Sequence, residues 1–321
     1  MTAHIHRSQT LPLAPPGLAE TLLELLPALY AVMDGALYDD LPTLLRDADL
    51  NHRSLFLDHA DKEVEKAGPW FIPLKSEPDV KKVLTLIGWK PAAVFWACET
   101  GDADIYRHLR SINHVIYPYK AAAEQHVIRD TRVLFRHWDP VVFTQVLQNL
   151  TMGQFNRVLG PATSIVTYAL DVGGIHKIKP VEMETIPTKG MLKISIEQAN
   201  GIALARQKTS HNRIARYLTS VSPNTIAKME RQRLIAEIEK SELSGRELGL
   251  TTERALARWA YLYIRSNGEV AADKRIRTWF DDKKASPNRK TAFLMRCARL
   301  DERSEKHNRV RERNRKSRIF Q

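Results

Sequence analysis

The 321-residue chain holds only two cysteines, Cys98 and Cys297. They form neither a CxxC pair nor a zinc-type spacing, so the sequence reads as a reduced, cytosolic protein. Glycine-rich phosphate loops are missing: neither GxGxxG nor GxxxxGK[ST] occurs. A GxSxG nucleophile elbow is lacking too. These gaps lower the case for an enzyme and leave no cofactor to expect. Long apolar runs are also absent. The segment Leu18 to Met33 is interrupted by Glu20, Glu24 and Pro27 and falls short of the about 20 residues of a spanning helix. Met1 to Pro16 has no apolar signal-peptide core. No membrane span is expected.

What is present is enough apolar material for sizeable cores: 43% of residues are hydrophobic, too many for a disordered protein. The net charge is +12 and unevenly placed. Residues 1–190 carry 19 Lys and Arg against 22 Asp and Glu, or −3, so 191–321 carry +15. Such asymmetry points to an acidic partner surface or nucleic acid at the C-terminal part.

Along the first half, strand-like and helix-like segments alternate. Leu29 to Met33 reads as a buried strand ending at Asp34-Gly35, followed by strands at Arg53–Leu57 and Trp70–Leu74. Pro73 favours a sheet edge or strand end for the last of these. Val80, Val83, Leu84 and Ile87 recur at helical spacing. Ala92–Cys98, Val115–Tyr117 and Thr131–Trp138 read as further strands, with a helix through Ile105, Leu109 and Ile112 between them. Asp139-Pro140 opens another helix, Asp as the cap and Pro at its first position. The order implies a mixed sheet with packed helices. After it come a Gly- and Pro-punctuated stretch and then helices near 196–207, 210–219, 223–240, 251–266 and 287–300. The fold class is therefore α+β: a flexible extension (1–22), a mixed α/β domain (23–172), a linker (173–190), an all-α lobe (191–300) and a basic tail (301–321).

Several constellations invite chemistry. Asp34 and Asp139 could form a carboxylate pair, but each sits where a turn or helix cap is expected; Arg53 and Arg136 are placed to pair with such acids. His4 and His6, His52 and His59, or His108 and His114 match no structural-zinc pattern. Cys98 ends an apolar strand and reads as core. The segment Arg213 to Lys228 resembles a helix-turn-helix, with Ser222 as cap, Pro223 in the first turn and Asn224, Thr225 and Lys228 toward a groove. Thr219-Ser220 replaces the usual single glycine, so two lobe helices joined by a capped turn is the favoured account. A DNA-binding regulator using 213–229 is the alternative function.

Six segments in order resemble one family: Leu29-Tyr-Ala-Val-Met-Asp-Gly-Ala-Leu37, Arg53-Ser-Leu-Phe-Leu57, Gly68-Pro-Trp-Phe-Ile-Pro-Leu74, Arg107-His-Leu-Arg110, Val133-Leu-Phe-Arg-His-Trp-Asp-Pro140 and Phe155-Asn-Arg-Val-Leu-Gly-Pro161. They look like the domain of unknown function numbered 4123, the type VI secretion effector chaperones or adaptors. The resemblance covers roughly 25–170; Leu192–Gln198 and Arg246–Ile264 match more loosely. It implies a non-catalytic protein without cofactor or metal. Its partners would be an effector toxin and the C-terminal region of the spike protein, and nucleic acid would not be one. Asp34, Gly35, Arg53, Trp70, Arg136, Asp139 and Pro140 are its structural motif residues. Because Trp, Tyr and Arg concentrate interface energy, the candidate partner-binding residues are Tyr261, Arg254, Arg258, Trp279, Phe280, Arg213 and Arg216. Trp259 and Tyr263 share an apolar stripe and read as core, which leaves Tyr261 toward the surface.

Overall fold

The computed structural model describes residues 14–56, 61–120, 128–180, 190–222 and 226–298. The chain divides into two compact units, Met1–Arg206 and Gln207–Gln321. The first contains α1 (Leu18–Leu23), β1 (Leu29–Asp34), α2 (Leu41–Asp47), β2 (Arg53–Ser54), α3 (Lys62–Lys66), β3 (Pro69–Leu74), α4 (Glu77–Ile87), β4 (Ala93–Ala97) and α5 (Asp102–Ser111). It continues with β5 (His114–Lys120), β6 (Ile128–Leu134), α6 (Pro140–Leu147), α7 (Met152–Leu159), β7 (Ser164–Ala169), β8 (Gly174–Ile178) and β9 (Leu192–Lys193). Helix α8 (Ile196–Val221) crosses the division. The second unit adds α9 (Arg231–Glu247), α10 (Glu253–Arg265), α11 (Glu269–Ala272), α12 (Lys274–Asp281) and α13, residues 287–298. The fold is α+β, strands in the first half and helices in the second.

The main sheet has the order β2-β3-β1-β4-β7-β8, and all its pairings are antiparallel. The smaller sheet, β6-β5-β9, contributes the parallel pairing, Val115 and Ile116 of β5 beside Leu192 and Lys193 of β9. Strand side chains alternate between faces, and here both faces are buried. Tyr30 and Val32 of β1 face a core with Val94, Trp96, Leu109 and Phe143; Leu29, Ala31 and Met33 face another with Leu18, Leu41, Val83 and Phe95. That double burial explains why β1, β4 and β7 read as continuous apolar runs. Pro73 sits in β3 beyond the two residues that β2 covers, so it occupies a local edge.

Polar groups fasten this apolar sandwich. At the end of β1, buried Asp34 accepts from the Ala36 N–H at 3.2 Å and from the Arg136 guanidinium at 2.6 Å. Arg136 also lies 3.4 Å from Asp139, which caps α6 by accepting from the Val141 and Val142 N–H groups. Burial pushes the Asp139 carboxyl up, against the pull of those N–H groups and of Arg136. The two aspartates thus serve as cap and ion-pair partners. Arg53 does not join them; its guanidinium lies 4.1 Å from the Tyr106 ring centroid and 5.6 Å from that of Phe71. Gly35 is required by a close approach: a Cβ there would stand 2.6 Å from the Gly68 carbonyl oxygen. Trp70 donates its indole N–H to the Lys66 carbonyl, and Pro140 opens α6.

A second polar chain crosses the core. His137 Nε2 donates to Asn113 Oδ1 at 2.9 Å, and Asn113 Nδ2 donates to the Leu55 carbonyl at 3.0 Å. His137 is fully buried, and its pKa is pushed down to about 3, chiefly by burial and also by His108.

Four sequence expectations need correction. Leu18 and Leu22, assigned to a flexible extension, are completely buried in α1; their i, i+4 spacing puts both on one face. The assigned linker contains β8, paired with β7 through Ile165–Ala169. Gly173, with φ of 107°, ends the turn between β7 and β8, and Gly174, with φ of 94°, opens β8 opposite Ala169, so the pair is not linker punctuation. Helices expected at 196–207 and 210–219 are one helix, α8, because nothing near Lys208 breaks it, and the compact units part within it, not at 190. The helix expected from 223 begins at Arg231. Residues 1–13, 57–60, 121–127, 181–189, 223–225 and 299–321 lie outside the described residues, and with them His4, His6, His59, Asn224, Thr225 and the basic tail.

Two stability measurements follow. The substitution Asp34→Asn should cost about 2 kcal/mol in denaturant unfolding, below the usual figure for a broken buried pair because Arg136 keeps solvent access. For His137, the unfolded chain binds a proton near pH 6.5 that the folded chain refuses until about pH 3. Stability should therefore fall as pH drops through that window. Between pH 7 and 5 the native protein should lose about 2 kcal/mol more than His137→Gln.

Candidate partner-binding site

The second unit is built on one tight helix pair. Helix α9 ends with Gly249 in the left-handed region, φ 79°. The Gly249 N–H bonds to the Arg246 carbonyl at 2.9 Å and the Leu250 N–H to the Gly245 carbonyl at 3.0 Å, a Schellman ending. Thr252 then caps α10 by accepting from the Ala255 N–H. Gly245 lets the helices close: a Cβ there would lie 2.9 Å from the Trp259 ring. Trp259 is buried as expected and donates to Ser244 Oγ at 2.9 Å.

Within this core lies a buried polar cluster that the sequence pattern did not reveal. His211 of α8 donates to Glu242 of α9 at 2.5 Å, and Arg246 Nε donates to the other Glu242 oxygen at 2.7 Å. Burial alone would raise the Glu242 carboxyl, but these hydrogen bonds outweigh it and hold it below the usual range. Lys290 of α13 is also buried. Its ammonium donates to the carbonyls of Trp279, at 2.6 Å, and of Phe280 and Asp282, filling the orphan acceptors at the end of α12. Glu242 and Arg246 stand one turn apart on α9, but no local spacing announces the contacts of His211 and Lys290, which reach across to other helices.

The surface of this unit carries a cavity of about 490 Å³. Its floor is Ile214, Ala257 and Met295; its rim carries Arg213 from α8, Arg254 and Arg258 from α10 and Arg296 from α13. Glu253 is the one acid in its lining and stands 3.5 Å from Arg213. Three candidate residues, Arg213, Arg254 and Arg258, therefore converge, although α8 and α10 are far apart in sequence. Arg296 was missed; it lies in α13, one helical turn from the basic run that the sequence reading treated as tail. Arg216 is exposed on α8 outside this lining.

The aromatic candidates separate. Tyr261 is only 1% exposed, correcting its assignment to the surface: α10 is covered on more than one side, so its apolar arc is wider than the Trp259–Tyr263 stripe. Its hydroxyl accepts from Arg265 at 3.3 Å. Phe280 is buried against Trp259, their ring centroids 5.9 Å apart. Trp279 is half-buried, between Phe280 and the exposed ring of Phe293. Of the helix-turn-helix look-alike, residues 223–225, where its second helix would open, lie outside the described residues. Helix α8 runs to Val221, Ile226–Lys228 form a single 3₁₀ turn, and α9 starts only at Arg231, a connection longer than the motif's three or four residues.

Among the described residues no three His, Cys, Asp or Glu side chains are grouped to hold a metal ion. His52 bonds the Leu50 carbonyl, His108 that of Val158, and His114 meets Arg132. Cys98 is core, as expected. No helix among the described residues is long and apolar enough to cross a membrane.

Because Tyr261 is core, Tyr261→Ala should lower unfolding stability by about 3 to 5 kcal/mol. A variant that folds with unchanged midpoint would contradict its placement.

No curated protein and no solved structure matches the chain. Residues 29–157 match the family model described as Domain of unknown function (DUF4123); the match spans β1 to most of α7, includes Asp34, Gly35, Arg53, Trp70, Arg136, Asp139 and Pro140, and supports placing this segment in that family.

Proposed function

We propose that this protein is a non-catalytic bacterial adaptor, acting in the cytoplasm, that binds a type VI secretion effector and connects it to the C-terminal region of the spike protein. The observation that carries the reading is the arginine-rimmed cavity of the helical unit. Arg213, Arg254, Arg258 and Arg296 surround an apolar floor with one carboxylate among them, a surface suited to an acidic segment with apolar anchors. The class of partner is supported by the resemblance of the segments between 29 and 161 to effector chaperones, together with the family match at 29–157. In this reading the effector is captured mainly by the helical unit, and specificity comes from charge and shape, with at least about 1,000 Å² buried in total. The alternative, a DNA-binding regulator using 213–229, would need a second helix opening at 223; of that stretch Ile226–Lys228 form a 3₁₀ turn.

The test is a pull-down of the effector encoded beside this gene, with wild type and with Arg213→Glu/Arg258→Glu. Wild type should retain the effector at low salt, and the charge reversals should weaken binding by about tenfold or more. Retention that is indifferent to both reversals and to salt would refute the assignment of the effector to this cavity.

A further inference from the structure

The first unit has a larger concavity of its own, about 1,000 Å³, between the edge strand β2, helix α5 and the ends of β5 and β6. None of the residues lining it is acidic, while Arg53, Arg107, Arg110 and Arg132 all do so. These arginines belong to the half of the chain whose net charge is −3, so their convergence is local and is not a sample of a generally basic surface. Beside them the lining is apolar: Leu55 and Phe56 at the base, with Val64 40% and Leu134 44% exposed to solvent.

The arrangement is held in place from beneath. Tyr106 donates its hydroxyl to the Ser54 carbonyl at 2.7 Å, which fixes the ring. The Arg53 guanidinium lies over that ring at 4.1 Å, with Arg110 at 5.6 Å from the same centroid. Arg132 donates to His114 Nδ1 at 3.2 Å. Burial and the Arg132 charge hold the His114 pKa down. Arg107 meets Asp104 at 3.1 Å on the exposed helix surface. A guanidinium stacked on an aromatic ring keeps its in-plane N–H fork available to a carboxylate. Because the Tyr106 face is occupied by Arg53, it is not a platform for a nucleic-acid base. The arginines also ring an apolar depression and do not form a stripe that could track a phosphate backbone.

We infer that this groove is a second recognition site, and that its occupant is a short acidic peptide segment whose carboxylates pair with the arginines while adjacent leucine- or aromatic-type side chains fill the apolar base. The site lies in the segment matched at 29–157 and rests on observations independent of the helical-unit cavity, so either can fail without the other.

The experiment is selection of a displayed library of random dodecapeptides on the full-length protein. In parallel, panning is run on Arg107→Gln/Arg110→Gln, on Arg107→Glu/Arg110→Glu and on Arg213→Glu/Arg258→Glu, each checked by circular dichroism melting. The selected peptides should combine Asp or Glu with Leu, Phe or Trp. A fluorescein-labelled selected peptide should bind about tenfold or more weakly to the Arg107/Arg110 variants and equally well to Arg213→Glu/Arg258→Glu. The glutamine pair keeps the test valid if the glutamate pair melts early. The inference is overturned if the selected peptides carry no acidic excess, if the Arg107/Arg110 variants select and bind the same peptides, or if a single-stranded oligonucleotide displaces the peptide more effectively than unlabelled peptide does.

Discussion

The first unit depends on the burial of β1 and β4 from both sides. An antiparallel sheet normally leaves one face to water; here α1, α2 and α4 cover one face, and α5, α6 and α7 with the small sheet cover the other. This constraint accounts for the composition of the strands, for Gly35 at the crowded exit of β1 and for the polar fastenings. Once the strand ends are enclosed, every charged or polar group there needs a partner. Arg136 supplies one for Asp34 and lies beside Asp139, and Asn113 links His137 to the backbone at Leu55. Asp34, Gly35, Arg136 and Asp139 are therefore architectural.

That leaves recognition to the surfaces the architecture holds rigid. Each unit offers one arginine-rimmed depression with an apolar floor, one at the β2–α5 side of the sheet unit and one among α8, α10 and α13 of the helical unit. Their chemistry is similar, but their origin differs. In the helical unit the arginines belong to a strongly basic region; in the sheet unit they are gathered by folding from an otherwise slightly acidic one. Under the proposed adaptor role, each of the two surfaces would take its own acidic segment.

Much of this was legible from local signals. The buried strands at Leu29, Trp70 and Ala92, the Asp139-Pro140 helix start and the helix near 251–266 depend on neighbours in sequence, and each formed. The α1 helix and the β8 strand were misassigned because prolines and paired glycines mark flexible segments and tight structured turns alike. Tyr261 was misplaced because one stripe was counted where α10 is buried over a wider arc. The pairing of His211 with Glu242 and the gathering of Arg53 with Arg107, Arg110 and Arg132 had no local signature, since each joins elements distant in the chain; the Lys290 cap depends on how α13 folds back on the end of α12. Three candidate arginines of the helical lobe, Arg213, Arg254 and Arg258, line one cavity; dense positive charge marked that region, which constrains a region more than a site.

The central claim is that the protein physically joins two others. It is tested most directly by mixing the purified protein with the neighbouring effector and the C-terminal region of the spike protein, then following all three by size-exclusion chromatography with light scattering. The account predicts one co-eluting species containing all three, which separates into effector and spike when this protein is omitted. Association of effector and spike that proceeds equally well without it, or failure of this protein to co-elute with either, would contradict the account.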